Sequence, residues 1–355
     1  MSDRQLPTSR SVILVRVLVA TTVGLVVVMG MAFGMIRVLT DIDPWLVMKN
    51  TDPILLAVAV LLFVFGNLLV GHRFVALFPW GVRPRPNRWA VGSLFFAGSV
   101  FSLLLPGPVG ELAAVGALKK RHGTAVATAL ATAIHSRFVG LAAAATLAAM
   151  ALPVVSVDGV VGEVLKWSAV VLVGGGLGIG VISSNPVWLQ TVGRSVISMG
   201  ERPGLMGKAL RSVRLFAVAL TEVSEAPMRT WLAVFGWSVV IQSVHMLALF
   251  VVGLAVSVNA EWPGLFLAQG TGSLAILVGM FLPGGLGTYE LAFVGSMTGA
   301  GGVALVDAGI MVVGVRVVHL LGLGCAGIFF AAWAKVFLSQ EVQDVVAPEP
   351  SSESE

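Results

Sequence analysis

The sequence predicts an all-α polytopic membrane protein, with six spanning helices and two oppositely oriented re-entrant helical hairpins that form an inverted repeat. The first observation is composition: 57% of the 355 residues are hydrophobic and 11% are charged, against about 25% charged in soluble domains. The second is a pair of long apolar stretches, each broken by proline and glycine. The third is a glutamate after each break, followed at the same distance by an arginine.

Six apolar runs are long enough to cross a bilayer, which takes about 20 mostly apolar residues. They cover residues 17–36, 54–71, 124–150, 164–183, 230–256 and 304–334. The first run exceeds the roughly 7–15 apolar residues of a secretory signal, and no small-residue cleavage site follows it. We therefore expect a cytoplasmic N-terminus over 1–16 and one transmembrane domain over 17–338. The acidic tail over 339–355 is expected to be disordered.

Two further apolar stretches, 89–118 and 263–299, are interrupted near their middle. Proline removes a backbone donor and glycine weakens a helix, so each stretch should break there. Irregular backbone at membrane depth is tolerated only where protein buries it or where it lines a wet cavity. Each stretch is therefore either a re-entrant hairpin or a kinked spanning helix. The residues that make the breaks are Pro106, Gly107 and Gly110 in the first stretch and Pro283, Gly284, Gly285 and Gly287 in the second.

The distribution of basic residues favours hairpins over kinked spans. With both stretches re-entrant and the N-terminus inside, 17 of the 22 lysines and arginines fall on the cytoplasmic side, and three (Arg37, Lys49, Lys166) fall outside. This asymmetry follows the positive-inside rule. It predicts a multi-pass protein of the bacterial cytoplasmic (inner) membrane with both termini in the cytoplasm. Because three spans separate the hairpins, the first enters from the cytoplasm and the second from outside.

The two broken stretches begin copies of one unit. When Glu111 is aligned with Glu290, 11 of the 31 positions up to Leu141 and Leu320 are identical. Both copies have an arginine 26 residues after the glutamate, Arg137 and Arg316. Inverted repeats of this kind are a recurrent plan of transporters, whose substrate sites lie where discontinuous helices meet near the midplane.

The charged residues of the repeat allow two interpretations. A glutamate near the start of a short helix can cap it and pair with its own arginine, which is a structural role. Intramembrane charges are also expensive, so a functional role lining a central polar cavity is the default hypothesis. An arginine fork suits a phosphate group. Both interpretations hold together if the ion pair fixes the hairpin while the arginine meets a ligand. The predicted lipid-binding residues are Glu111, Arg137, Glu290, Arg316, Tyr289 and His319.

Several other polar residues receive weaker assignments. His319 shares a helical face with its arginine, whereas His135 points away from Arg137. A packing role competes with a cavity role for Tyr289, the single tyrosine. His72, next to Arg73, is expected at the membrane interface. Residues 185–229 are predicted to be a cytoplasmic amphipathic connection, lying either on the membrane surface or against the protein.

Metal, disulfide and nucleotide chemistry find little support in the sequence. Cys325 is the single cysteine, so no disulfide or cysteine-based metal site is available within one chain. No metal-ligand spacing occurs among the histidines and acids. Gly174 to Gly180 is glycine-rich but lacks the Lys-Ser/Thr of a phosphate-binding loop. We therefore expect no cofactor and no metal.

The broken elements and their trailing arginines resemble the lysylphosphatidylglycerol synthase transmembrane-region family, also called flippase-like domain proteins. The resemblance covers roughly residues 10–338 and is most specific in the two broken elements. It implies a lipid flippase-like membrane half. The first element departs from the family by carrying Pro108 where a polar residue is common, which bears on headgroup choice. Only 17 residues follow Leu338, so the aminoacyl-transferase half found in some members is not expected.

The leading functional hypothesis is translocation of a phospholipid or glycolipid between leaflets of the cytoplasmic membrane, without enzymatic activity. The expected partners are a lipid with an anionic or phosphate-bearing headgroup, and either a second copy of the chain or a lipid-modifying transferase; nucleic acid is not expected. One alternative is an integral-membrane enzyme that modifies a lipid headgroup, with a glutamate as base and His135 or His319 as partner. Another is an accessory subunit of an envelope-lipid pathway.

Overall fold

The computed structural model describes residues 41–78, 86–104, 109–154, 218–278, 287–299 and 302–346, with scattered helical positions between 19 and 38 and between 167 and 215. Every regular element in these residues is a helix, which agrees with the predicted class. The helices with defined bounds are α1 (Pro44–Asn50), α2 (Pro53–Leu77), α3 (Arg88–Leu104), α4 (Val109–His122), α5 (Val126–Ala151), α6 (Met228–Ala255), α7 (Trp262–Val278), α8 (Thr288–Gly299) and α9 (Leu305–Val346).

Four of the described helices are long and apolar enough to cross a membrane. They are α2, α5, α6 and residues Leu305–Phe329 of α9, and they correspond to predicted spans 54–71, 124–150, 230–256 and 304–334. The predicted spans 17–36 and 164–183 lie largely outside the described residues. The protein is therefore a polytopic helical membrane protein.

Helices α3, α4, α7 and α8 are too short to cross alone. They contain 17, 14, 17 and 12 residues, which at 1.5 Å per residue gives roughly 18–26 Å, less than the ~30 Å hydrocarbon core. Consecutive members contact each other, α3 with α4 and α7 with α8. Most of the break residues between them, 105–108 and 279–286, lie outside the described residues.

Two turns at aligned positions have the same unusual backbone. Gly123, between α4 and α5, has φ +63°, and Gly302, before α9, has φ +62°. This left-handed conformation is open to glycine without the steric cost that a Cβ brings. The helices that follow begin at Val126 and Leu305, and those before begin at Val109 and Thr288. All three features keep the register that aligns Glu111 with Glu290.

The contacts between helices also come in matched pairs. Helices α2, α3, α4 and α5 correspond to α6, α7, α8 and α9, respectively. When each helix is replaced by its counterpart, every major contact among these helices corresponds to a contact that is also present. The contact α3–α9 becomes α7–α5, for example, and α2–α9 becomes α6–α5. Helices α2 and α6, which are counterparts of each other, have the most extensive contact.

Small residues bring these helices close together. A Cβ at Gly71 of α2 would overlap the backbone of Arg88 and Gly92 at the start of α3. Added to Gly66, a Cβ would lie 2.6 Å from Nε2 of His245 on α6. Such close approach of backbones is typical of membrane helices. The main apolar core forms around α9, where Met311, Val312 and Val313 are fully buried.

The C-terminal end of α9 differs from expectation. Helix α9 continues to Val346, so residues 339–346, expected to be disordered, are helical. Its length of 42 residues corresponds to roughly 63 Å. The residues Ser339-Gln-Glu-Val-Gln-Asp-Val-Val include neither proline nor glycine, so nothing in them ends the helix. Residues 347–355 lie outside the described part.

Only the last residues of the predicted connection 185–229 are described. Residues 218–224 are helical, and Ala219 and Val223 are buried against Leu77, Val139 and Val234 of the long helices. This end of the connection packs on the protein. Residues 185–214 lie outside the described residues, so the membrane-surface alternative stays a prediction for them.

Candidate functional site

The first predicted ion pair joins α4 to α5. Glu111 is the third residue of α4, and its Oε1 accepts a hydrogen bond from Nη1 of Arg137 at 2.9 Å. The spacing of 26 residues carries the chain through the Gly123 turn and back along α5. The two side chains remain 27% and 33% exposed, respectively. This pair is therefore half-buried, with polar atoms still open to a ligand.

The second pair, between α8 and α9, is buried. Glu290 is the third residue of α8, and its Oε1 accepts from Nε of Arg316 at 2.6 Å. Its other oxygen, Oε2, accepts from the backbone N–H of Gly287 at 2.8 Å. A glutamate at the third helical position reaches back to the N-cap N–H in this way in a capping box. The side-chain exposures are 0% for Glu290 and 6% for Arg316.

The aligned residues explain why the two glutamates are held differently. Position 287 corresponds to position 108 in the first copy, which is Pro108. Proline has no backbone N–H to donate, so position 108 cannot give Glu111 the cap bond that Gly287 gives Glu290. Sequence reasoning noted the proline as a departure from the family but missed this consequence.

Aromatic residues enclose the second pair. The ring of Tyr289 lies 4.8 Å from Cζ of Arg316, and it contacts the His319 ring edge to face at 5.5 Å. Tyr289 is 2% exposed, and its hydroxyl finds no hydrogen-bond partner among the described residues. Phe63 of α2 lies between His319 and His245, with ring centroids 4.9 Å and 5.7 Å away. The structure thus brings four of the predicted site residues together.

Arg73 is a buried charge that the sequence analysis missed. Its neighbour His72 was predicted at the membrane interface, and in the structure Arg73 and His72 are only 9% and 8% exposed. Nε of Arg73 donates to the hydroxyl of Ser136 on α5 at 2.9 Å. The sequence does not reveal that α5 covers this end of α2. The signal available in the sequence was an arginine followed by the apolar residues Phe74 to Leu77, which continue the helix beyond the predicted run 54–71.

A series of hydrogen-bonded polar groups connects this region with the second half of the chain. Nε2 of Gln242 on α6 donates to the carbonyl of Gly140 at 3.4 Å, and its Oε1 accepts from Gln269 of α7 at 2.9 Å. Gln269 also donates to Ser273 at 3.5 Å. These amides and hydroxyls lie inside long apolar helices, where polar groups need partners. They connect α5, α6 and α7 around the site.

The remaining assignments are less tightly connected with the ion pairs. His135 is buried, with Nδ1 3.0 Å from the Ala131 carbonyl and its ring 5.8 Å from that of Trp231, so it faces away from Arg137 as predicted. The break residues Pro106, Gly107, Pro283, Gly284 and Gly285 lie outside the described residues. No cluster of three or more potential metal-binding side chains occurs in the part that the structure describes.

Comparison with known proteins places the chain in a family. A family model described as the lysylphosphatidylglycerol synthase TM region matches residues 13–327. The chain belongs to this family. The match spans both broken stretches and both ion pairs, which confirms the resemblance seen in the sequence. No curated protein and no solved structure matches the chain.

Within this family domain, the described site consists of two equivalent Glu–Arg pairs of unequal exposure. Arg73 contacts Ser136, the residue before Arg137 of the first pair, and aromatic rings enclose the second pair. Guanidinium groups paired with carboxylates at membrane depth can bind an anionic group, move a proton, or hold a hairpin in place.

Proposed function

We propose that this chain is a lipid translocator, which moves a phospholipid or glycolipid between the leaflets of the bacterial cytoplasmic membrane through a central polar cavity. The observation that carries the proposal is the recurrence of one Glu–Arg pair at the same spacing in both copies, half-exposed in the first and sealed in the second. Transporters built from repeats expose one side of a shared site while the other side is closed.

The proposal includes an inverted repeat of six spans and two re-entrant hairpins. Three observations support it: the exchange symmetry of the helix contacts, the common turn geometry at Gly123 and Gly302, and the pairs of short helices that cannot span alone. With an odd number of spans between the hairpins, the two copies have opposite orientations. The half-exposed pair then faces the cytoplasm and the sealed pair faces outward.

The sequence limits the energy sources that could drive lipid movement. No nucleotide-binding loop occurs in the sequence, so movement is downhill or coupled to an ion. Glu111 is the proton-carrier candidate, because its carboxylate is half-exposed and position 108 cannot give it the cap bond that Gly287 gives Glu290. The lipid leaves chemically unchanged. A second copy or a lipid-modifying transferase remains the proposed partner.

Flipping in proteoliposomes tests the proposal. The purified chain is reconstituted with phosphatidylglycerol that has a fluorescent label on one acyl chain, and dithionite quenching reports label that reaches the outer leaflet. We expect flipping by the wild type and loss of flipping in Glu111→Gln and in Arg137→Gln. Arg88→Gln is the matched control, since it removes one exposed arginine from the start of α3 and should not change the rate.

A charge exchange separates transport from support of the fold. The double variant Glu111→Arg/Arg137→Glu can re-form the ion pair with its ends reversed, so a structural role predicts restored flipping. Our proposal predicts restored thermal stability without flipping. Absence of flipping by the folded wild type would overturn translocation. Mass spectrometry of the same liposomes detects a covalently changed lipid, which would favour an enzyme. Co-purification with a transferase and no flipping alone would favour an accessory subunit.

A further inference from the structure

Arg73 is a buried cation that contacts α5 at Ser136 and Gly140, one position before and three positions after Arg137 in the sequence. It lies four residues before the end of α2 and packs on one face of α5, between Ser136 and Gly140, which are one turn apart. Its Nε donates to Ser136, and its guanidinium lies so close to Gly140 that a Cβ there would come within 3.0 Å of Cζ. The glycine leaves the space that the guanidinium occupies.

The charges around Arg73 do not balance. Arg73 interacts electrostatically with Glu111 and with Arg137, but Glu111 already pairs with Arg137. Among the described residues no carboxylate lies within salt-bridge distance of Arg73. Among the described residues, the cationic centre formed by Arg73, Arg137 and Glu111 therefore contains two guanidinium groups and one carboxylate, an excess of one positive charge. Burying a charge without a counter-charge is costly, so the centre is suited to a ligand that supplies the missing negative charge.

The second copy has no such excess in the equivalent helix. Helix α6 takes the place of α2 when the helix contacts are exchanged, and its only charged residue is Arg229, at its second position. In the interior α6 presents neutral Gln242 and His245 instead. The excess charge is thus specific to the first copy, where the ion pair is half-exposed.

We infer that Arg73 and Arg137 together bind the anionic phosphate of a lipid whose headgroup has no compensating cation. This inference rests on the proposed lipid translocation and names the substrate class of that site. With Nε held by Ser136, the Nη groups of Arg73 remain to donate to phosphate oxygens, in the forked geometry that guanidinium groups offer. Gln242 donates to the Gly140 carbonyl and accepts from Gln269, so neutral amides adjoin the glycine that Arg73 contacts.

The site should distinguish lipid classes by the charge of their headgroups. An anionic phospholipid such as phosphatidylglycerol neutralises the excess charge. A zwitterionic lipid such as phosphatidylcholine brings its own ammonium group toward two guanidinium groups, and like charges repel at short range. Inorganic phosphate shares the anion but lacks the acyl chains. The site therefore ranks phosphatidylglycerol above phosphate, and both above a neutral diacylglycerol.

Equilibrium binding to the full chain in a non-ionic detergent tests this ranking. Dihexanoyl phosphatidylglycerol, dihexanoyl phosphatidylcholine, dihexanoylglycerol and inorganic phosphate are titrated separately, and the Kd is measured by thermophoresis. We expect Arg73→Gln to weaken binding of the phosphatidylglycerol by about ten-fold or more, as for loss of a charge-assisted hydrogen bond. Arg73→Lys keeps the positive charge but lacks the forked guanidinium, so its Kd should lie between those of the wild type and Arg73→Gln. Arg88→Gln should match the wild type.

A second variant covers the case in which Arg73→Gln fails to fold. Gly140→Ala displaces the flexible guanidinium end while keeping its charge, so it should weaken phosphatidylglycerol binding and leave the protein folded. Equal affinity of wild type, Arg73→Gln and Gly140→Ala for phosphatidylglycerol would overturn the inference, as would equal affinity for phosphatidylcholine. Binding that depends on Arg73 without any flipping would overturn translocation alone. Flipping unaffected by Arg73→Gln, with unchanged binding, would overturn this inference alone.

Discussion

Glu290 and Arg316, 26 residues apart in sequence, form an ion pair of 2.6 Å in which the glutamate has no exposed surface. The equivalent pair, Glu111 and Arg137, has 2.9 Å between its atoms and keeps about a third of its surface open. The same two residue types at the same spacing thus have different surroundings. This difference determines which variants test function and which ones test stability.

Neutralising the two glutamates should have unequal effects on stability. Glu290→Gln leaves Arg316 buried beside an uncharged amide, and removing one partner of a buried pair costs about 3–5 kcal/mol. Glu111→Gln breaks a half-exposed pair, for which about 1 kcal/mol or less is expected. Equilibrium unfolding in sodium dodecyl sulfate, followed by fluorescence of the nine tryptophans, measures both. Equal destabilisation by the two variants would contradict the difference in burial.

Single cysteines should reveal the orientation of the two proposed hairpins. In a Cys325→Ser background, cysteine replaces each of four exposed residues at the helix ends, Arg88, Lys119, Glu261 and Asp307. We expect a membrane-impermeant maleimide to label positions 261 and 307 in intact cells, and positions 88 and 119 only after permeabilisation. Each pair flanks one hairpin, so its two members should behave alike. Labelling of 261 and 307 from opposite sides would mean that the second stretch spans the membrane.

Removing the Tyr289 hydroxyl should separate packing from ligand binding. The hydroxyl is buried and has no partner in the described residues, so Tyr289→Phe should change stability by about 1 kcal/mol or less, in either direction. The ring remains stacked on Phe293 and beside Arg316. If the hydroxyl serves the lipid headgroup, the flipping rate falls while the unfolding midpoint stays in place. Unchanged flipping would assign Tyr289 to packing alone.

Alanine at Gly71 should separate α2 from α3. Its Cβ would overlap backbone atoms of Arg88 and Gly92, and backbone moves less easily than a side-chain end. Overpacking typically costs about 1–3 kcal/mol, so Gly71→Ala should lower both the yield of folded protein and its unfolding midpoint. The control is Gly116→Ala in α4, where a Cβ meets nothing within 4 Å and where alanine favours the helix. A Gly71→Ala variant as stable as this control would contradict the close crossing.

Much of the fold could be predicted from residue type and spacing. Four of the predicted spans correspond to long helices, because a run of about 20 apolar residues has few alternatives in a membrane. The two broken stretches could be located from proline and glycine, and the partners of both ion pairs from the 26-residue spacing. The end of α9 was missed, since a polar and acidic composition does not by itself stop a helix.

The sequence by itself determined the membrane class and the pairing of each glutamate with its arginine, because these depend on composition and on distance along the chain. Only the tertiary structure decided how those residues are exposed. Arg73 is buried because α5 packs over the end of α2 and Gly140 leaves room for its guanidinium. Glu290 is sealed by Tyr289 and the Gly287 cap, while Glu111 is not. Burial depends on neighbours far apart in sequence, and burial sets the cost of each charge.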